Sequence, residues 1–288
     1  VERVLVRLDT EGGVTGWGEF RPTLSPESTT TIVERDLAPA VVGRPVWEIE
    51  SFVDDFFFEY LHVQSFLGGV EMAMWDAFGK HTGQPVHRLI GGKCADRVDL
   101  ARCLGILPPD ESRDHARRAL ELGYDVLKVK AGRDWREDVE RLIAMHEAVD
   151  GELELRIDPN QNWSFPDAVR VGARLEDAGV YPQYLEQPIR IDSFGTLDKL
   201  RNRLRTPIAA NEDTYFPHNL VNMAREAAID VAVVDHVPAG GILGLKRLAA
   251  VGGDLGVSMA HHNAWDLGVK TAAMLHVVSS TPALDLAP

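Results

Sequence analysis

The sequence predicts an α/β fold in which a parallel (β/α)8 barrel follows a smaller α+β domain. Three observations predict it: an alternating segment with a tight turn at the start, a regular strand–helix repeat from about residue 93 onward, and polar residues just past most of the repeated strands. The 288 residues allow a large domain with a smaller companion. An apolar content of 45% with 26% charged residues is globular and excludes a disordered or collagen-like chain. The net charge of −14 has the wrong sign for a broad phosphate-binding surface, so neither nucleic acid nor an anionic membrane is an expected partner. No apolar run approaches the roughly 20 residues of a membrane helix, and the N-terminus lacks the order of a secretory signal, so a soluble cytoplasmic protein is expected. Cys94 and Cys103 sit in no CxxC or Cys/His pattern and read as ordinary thiols.

Each element follows from local pattern. Val4, Val6 and Leu8 alternate with polar residues, Glu11-Gly12-Gly13 turns, and Val14 to Trp17 resumes the alternation, which is how a hairpin is written. Helical periodicity then runs through Ile32 to Val41, Ile49 to Phe56 and Val70 to Phe78, before Gly83 and Pro85. Residues 1–92 therefore form a small α+β domain and 93–288 the barrel. Eight β-rich runs fill the second part: 98–104, 126–130, 153–157, 181–185, 207–210, 231–234, 256–260 and 283–286. The intervals between Lys130, Asp158, Glu186, Asn211, Asp235, His262 and Asp285 are 28, 28, 25, 24, 27 and 23 residues, close to one strand plus one helix. A closed parallel barrel needs such a period, because each strand is regained through a right-handed helical crossover. Ser164 with Asp167 supplies a near capping box for one crossover helix, which Gly179 ends.

In a barrel of this kind the C-terminal strand ends face one mouth, so these polar residues are expected to converge. Asp158, Glu186 and Asn211 or Glu212 come from three neighbouring strands and offer the hard oxygen donors that suit Mg²⁺. Lys128 and Lys130 occupy alternate positions of one strand and point to its same side. A buried lysine beside another cation has a depressed pKa and is a competent base. Asp235 ends one strand and His261-His262 the next, a carboxylate placed to fix an imidazole's tautomer and raise its basicity.

These residues resemble the enolase superfamily. The matching pieces are Gly16-Trp17-Gly18-Glu19, Glu71 to Asp76, Lys128-Val129-Lys130, Asp158-Pro159-Asn160, Glu186-Gln187-Pro188, Pro207 to Glu212, Asp235 with Gly240-Gly241, and the His261-His262 strand end. The resemblance covers nearly the whole chain. It implies an α+β capping domain on a modified barrel, one Mg²⁺, a small carboxylate substrate, a homo-oligomer, and abstraction of the proton α to the carboxylate. It also implies a further N-terminal strand and a C-terminal segment returning to the capping domain. The muconate cycloisomerase and dipeptide epimerase branch carries a lysine on the sixth strand, whereas no lysine occurs from Arg201 through Leu245. The Asp/His pair instead resembles the mandelate racemase and glucarate dehydratase branches. Alignment from Gly256 gives His262 the catalytic role, and alignment back from Asp266 gives it to His261. Asn211 resembles the glucarate dehydratase ligand, as does the run from His262 to Asp266, while Glu212 resembles that of mandelate racemase. Pro282 stands where mandelate racemase would place an acidic group. The resemblance thus implies an acid sugar dehydratase, with Lys128, Lys130, Asp235 and His262 or His261 catalytic. Asn160 is expected to touch the substrate, and Phe20 and Arg21 to set specificity from the loop running to Pro26.

Overall fold

The computed structural model describes residues 2–22, 24–56 and 63–288. The chain divides into two compact units: Val1–Val98 with Val234–Val251 and His261–Leu284, and Asp99–Val233 with Gly252–Ala260 and Asp285–Pro288. In the first unit, β1 (Val4–Asp9) and β2 (Thr15–Phe20) pair antiparallel, Val4 opposite Phe20 and Asp9 opposite Thr15. Gly13 closes their turn at φ 77°, a conformation that costs a glycine little. Helix α1 (Pro26–Ile32) starts at Ser25, whose hydroxyl accepts the Ser28 N–H, with Pro26 at the first position. A π-helical stretch (Val33–Leu37), α2 (Ala38–Val41), α3 (Ile49–Asp55), α4 (Gln64–Thr82) and α5 (Val86–Leu89) follow. Small residues let β2 lie directly on α4. A Cβ on Gly18 would stand 1.8 Å from the Gly69 carbonyl oxygen, and one on Gly69 would stand 2.5 Å from the Phe20 ring.

The second unit is built on a parallel sheet in sequential order: β3 (Arg102–Leu104), β4 (Val126–Lys130), β5 (Glu154–Asp158), β6 (Tyr184–Glu186), β7 (Ile208–Ala210), β8 (Val231–Val234) and β9 (Ser258–His261). The crossovers are α6 (Pro109–Glu121), α7 (Trp135–Ala148), α8 (Phe165–Asp177), α9 (Phe194–Arg201), α10 (Pro217–Arg225) and α11 (Ile242–Asp254), and α12 (Gly268–Ser279) follows β9. The sheet with its helical crossovers is the expected modified barrel. On β4 the alternation puts Leu127 and Val129 in the apolar core and leaves Lys128 and Lys130 on the other face.

The eighth run differs from the expected strand over 283–286. It makes a single parallel bridge, Ala260 with Leu286, after a turn in which Leu284 N–H donates to the Thr281 carbonyl at 3.0 Å. Pro282 and Pro288 lack the N–H that a ladder needs. The segment still closes the ring, because Leu286 donates to Met259 O at 3.1 Å and Pro288 O accepts from Ala101 at 2.9 Å.

In the first unit, buried Glu71 of α4 accepts the N–H groups of Ile242 and Leu243 at 2.9 Å each and the Trp75 indole at 2.7 Å. Two donors at the start of α11, which have no partner inside the helix, are thereby satisfied. No described helix is long and apolar enough to cross a membrane.

Gly18→Val should destabilise the chain by about 1–3 kcal/mol through overpacking, read as a lower urea midpoint. Gly12→Ala, where a Cβ meets only the Thr10 hydroxyl at 3.9 Å, should leave the midpoint almost unchanged.

Candidate active site

Two charged clusters stand past the strand ends, one in each unit. In the second unit the registers of β4, β5 and β6 set Lys130 beside Asp158 and lead to Glu186 one strand further on. Asp158 and Glu186 are fully buried. Lys128 Nζ donates to Glu186 Oε1 at 2.6 Å and lies 3.1 Å from Asp158 Oδ2. Lys130 Nζ donates to Asp158 Oδ2 at 2.5 Å and to Asn160 Oδ1 at 2.9 Å. Burial alone would lower the Lys128 pKa, but Glu186 and Asp158 outweigh it and hold the ammonium above the ordinary lysine range. The expected depression is therefore reversed at Lys128, because Glu186 and Asp158 stand 2.6 and 3.1 Å from its ammonium. The same lysines keep the Asp158 carboxyl below its usual value although burial pushes the other way.

Asn160 sits at φ 45°, donates its N–H to Asp158 Oδ1 at 3.0 Å and its amide to Glu212 Oε1 at 3.3 Å. Asn211 gives its amide to the Val233 carbonyl at 2.9 Å, and its N–H to Gln187 Oε1 at 3.0 Å. Gln187, which the sequence marks only as part of a motif, also holds Asp213 at 2.8 Å and so fixes the loop that carries both candidate third ligands. Arg141 is a second such support: buried on α7, it donates to the Lys130 carbonyl at 2.9 Å and to Asp138 at 2.8 Å.

The donor set has the chemistry that suits a hard divalent cation. Asp158, Glu186 and Glu212 offer only oxygen, their three charges exceed those of the two lysines, and Glu212 Oε2 is buried with no hydrogen-bond partner. The Lys128 ammonium already bridges two of the carboxylates, as a cation would. Such a set suits Mg²⁺.

In the first unit, Asp235 lies just past β8. Its Oδ1 accepts the Val237 N–H at 3.0 Å, and its Oδ2 stands 3.3 Å from His262 Nδ1 and 2.8 Å from Lys270 Nζ. His261 instead turns to His236, with Nε2 2.8 Å from His236 Nδ1. Burial pushes the His236 pKa down to about 4 and that of His261 well below the usual imidazole value, so this pair is held neutral. Burial would raise the Asp235 carboxyl, yet Lys270 and then His262 and His236 keep it well below its ordinary range. Asp235, His236 and His261 bring donor atoms within 4.8 Å of one another. That group is rich in nitrogen, unlike the all-oxygen set of the other cluster.

The remaining sequence candidates separate. Phe20 is buried against α4, Arg21 is exposed, and Thr23 of the same loop lies outside the described residues. Cys94 and Cys103 are both free and exposed. A cavity of about 780 Å³, lined among others by Val6, Leu8, Val33, Val70 and Met74, shares no residue with either cluster. Lys270 escapes sequence reasoning, and its only signal is a lysine four residues after Asp266 in an otherwise apolar helix.

A parallel barrel with lysines and carboxylates at its strand ends and an α+β unit define an enzyme of the enolase class. Family models agree: residues 2–91 match the mandelate racemase / muconate lactonizing enzyme N-terminal domain, and residues 111–287 match the enolase C-terminal domain-like family. The chain belongs to this mandelate racemase/muconate lactonizing branch of the enolase superfamily. It is 28% identical to the L-Ala-D/L-Glu epimerase of Bacillus subtilis, over 97% of this chain and 78% of the relative. It is 26% identical to the arabinonate dehydratase of Saccharolobus solfataricus, over 97% of this chain and 77% of that protein. Among solved structures, an isomerase from Streptomyces coelicolor A3(2) superposes with a TM-score of 0.88 at 35% identity, covering 99% of this chain and 79% of that one.

Calorimetric titration should show Mg²⁺ binding that weakens at least about tenfold in Glu186→Gln, since a charged oxygen donor is lost. Equal affinity in the variant would place the cation elsewhere.

Proposed function

We propose that the protein is a Mg²⁺-dependent hydro-lyase that dehydrates an acid sugar, an aldonate or aldarate, to a 2-keto-3-deoxy acid. Asp158, Glu186 and Asn211 or Glu212 would hold the metal. When bound, Mg²⁺ supplies positive charge that stabilises the substrate carboxylate as its α-proton leaves. Lys130, the more open of the two lysines with 24% of its side chain exposed against 13% for Lys128, is the base. Its neutral amine takes the proton from the α-carbon. Lys128 stays an ammonium and supports the charge near Lys130. The electron pair left on the α-carbon expels the β-hydroxyl, which takes a proton from His262 and departs as water. Asp235 keeps the His262 ring oriented for that transfer. The enol that remains tautomerises to the keto acid. Asn160 positions substrate from beside Lys130, and residues 1–92, with the exposed Arg21, carry specificity, whereas Phe20 is buried against α4 and packs there instead of meeting substrate.

One observation sets this reading against the cycloisomerase and dipeptide epimerase branch: a carboxylate, Asp235, stands 3.3 Å from an imidazole, His262, the pair that resembles the mandelate racemase and glucarate dehydratase branches. Similarity to the arabinonate dehydratase supports it. Similarity to the L-Ala-D/L-Glu epimerase favours a second reading, racemisation or epimerisation of a carboxylate substrate by the same two proton-transfer groups without loss of water.

A panel of aldonates and aldarates incubated with Mg²⁺, and in parallel with EDTA, separates the two. Keto acid, measured as the semicarbazone, should form only with the metal, and should fall at least about 100-fold in Lys130→Met and in His262→Gln. A C2 epimer of the substrate on chiral chromatography, with no keto acid, would replace dehydration by epimerisation.

A further inference from the structure

Lys270 is a buried charge that the reaction above does not use. It lies in the first turn of α12 with 2% of its surface exposed, among apolar residues where an unpaired ammonium would be very costly. Its position is fixed from both ends. The backbone N–H donates to Glu19 Oε2 at 2.9 Å, next to Leu267, whose N–H donates to Glu19 Oε1 at 2.6 Å. The ammonium donates to Asp266 Oδ2 at 2.6 Å and to Asp235 Oδ2 at 2.8 Å. Arg3 completes the surroundings by donating to the Ala264 and Trp265 carbonyls, so the segment joining His262 to α12 is tied down along its length.

The shared atom is Asp235 Oδ2. It meets the Lys270 ammonium at 2.8 Å and the His262 imidazole at 3.3 Å, while Oδ1 is taken by the Val237 N–H. We propose that Lys270 is a positioning residue for the His262–Asp235 pair: it keeps the carboxylate ionised and aimed, while cancelling part of the negative charge that His262 feels. The inference rests on the reading of that pair as a proton-transfer device. An unaccompanied buried carboxylate this close would strengthen the imidazole's hold on its proton, since an opposite charge within a few ångströms moves a pKa by about 1–3 units. With Lys270 present, the carboxylate stays aimed at the imidazole and keeps it oriented for proton transfer. The other titratable groups around the pair are His236, His261 and Asp266. His236 and His261 are held neutral by burial, and Asp266 is bound to Lys270 itself.

The test is an NMR titration of the His262 ring in the full chain without substrate, the resonance assigned by its loss in His262→Gln. In Lys270→Met the midpoint should rise by about one pH unit, and Lys270→Arg should bring it most of the way back. Should Lys270→Met not fold, Asp266→Asn/Lys270→Met removes one charge of each sign, and the midpoint should move in the same direction. A folded variant whose His262 midpoint stays at the wild-type value would overturn the inference and leave Lys270 a purely structural charge. The pH profile of kcat/KM on the acid sugar that the panel returns should shift with the NMR midpoint. A moved midpoint with an unmoved profile would keep Lys270's action on His262 but remove His262 from the reaction, so the two failures are distinguishable.

Discussion

Two ammonium groups and two carboxylates meet within hydrogen-bond distance at the ends of β4, β5 and β6, and none of them could be buried alone. An isolated buried charge costs far more than a domain's net stability, so it must be paired and hydrogen-bonded or lose its charge. Asp158 and Glu186 are fully buried because Lys128 serves both and Lys130 serves Asp158. That pairing depends on the strand register, since a slip of one residue would turn the lysines into the apolar layer occupied by Leu127 and Val129. The parallel order of the sheet and the near-constant length of its crossovers are thus what allow so much charge to be held in one place. Counting Glu212, the cluster carries one more carboxylate than ammonium, and Glu212 Oε2 is left without a hydrogen-bond partner.

The second cluster follows the same rule with different groups. Asp235 and Asp266 are buried around Lys270, and the imidazole of His262 shares an oxygen with that lysine. His236 and His261, placed beside them, stay neutral by burial and hydrogen-bond each other. The cost of burying ions therefore separates two adjacent histidines. His262 Nδ1 stands 3.3 Å from Asp235 Oδ2, whereas His261 Nε2 turns to His236 Nδ1 at 2.8 Å.

Much of this was legible in the sequence. The hairpin, the crossover period and strands such as Val126–Lys130 follow from alternation, turn residues and spacing, and the structure has them in place. The eighth run shows the limit of that reasoning, because composition marks Ala283 to Leu286 as a strand while the flanking prolines leave one bridge. Same-side placement of Lys128 and Lys130 could be read from alternation. The direction of the Lys128 pKa could not, because it depends on carboxylates contributed by β5 and β6. Nor could the sequence settle His261 against His262, since alignment from Gly256 favours His262, alignment back from Asp266 favours His261, and only the end of β9 assigns their neighbours. Lys270 was invisible for the same reason: its partner Asp235 is 35 residues away.

The central claim is that Lys130 removes the proton α to a substrate carboxylate. The most direct test is the NMR signal of the C2 hydrogen of an acid sugar incubated with enzyme and Mg²⁺ in D₂O. In His262→Gln, where hydroxide cannot be protonated, the account predicts exchange of that hydrogen for deuterium without product, and in Lys130→Met it predicts none. Exchange that persists in Lys130→Met, or wild-type enzyme that exchanges no acid in the panel, would contradict it.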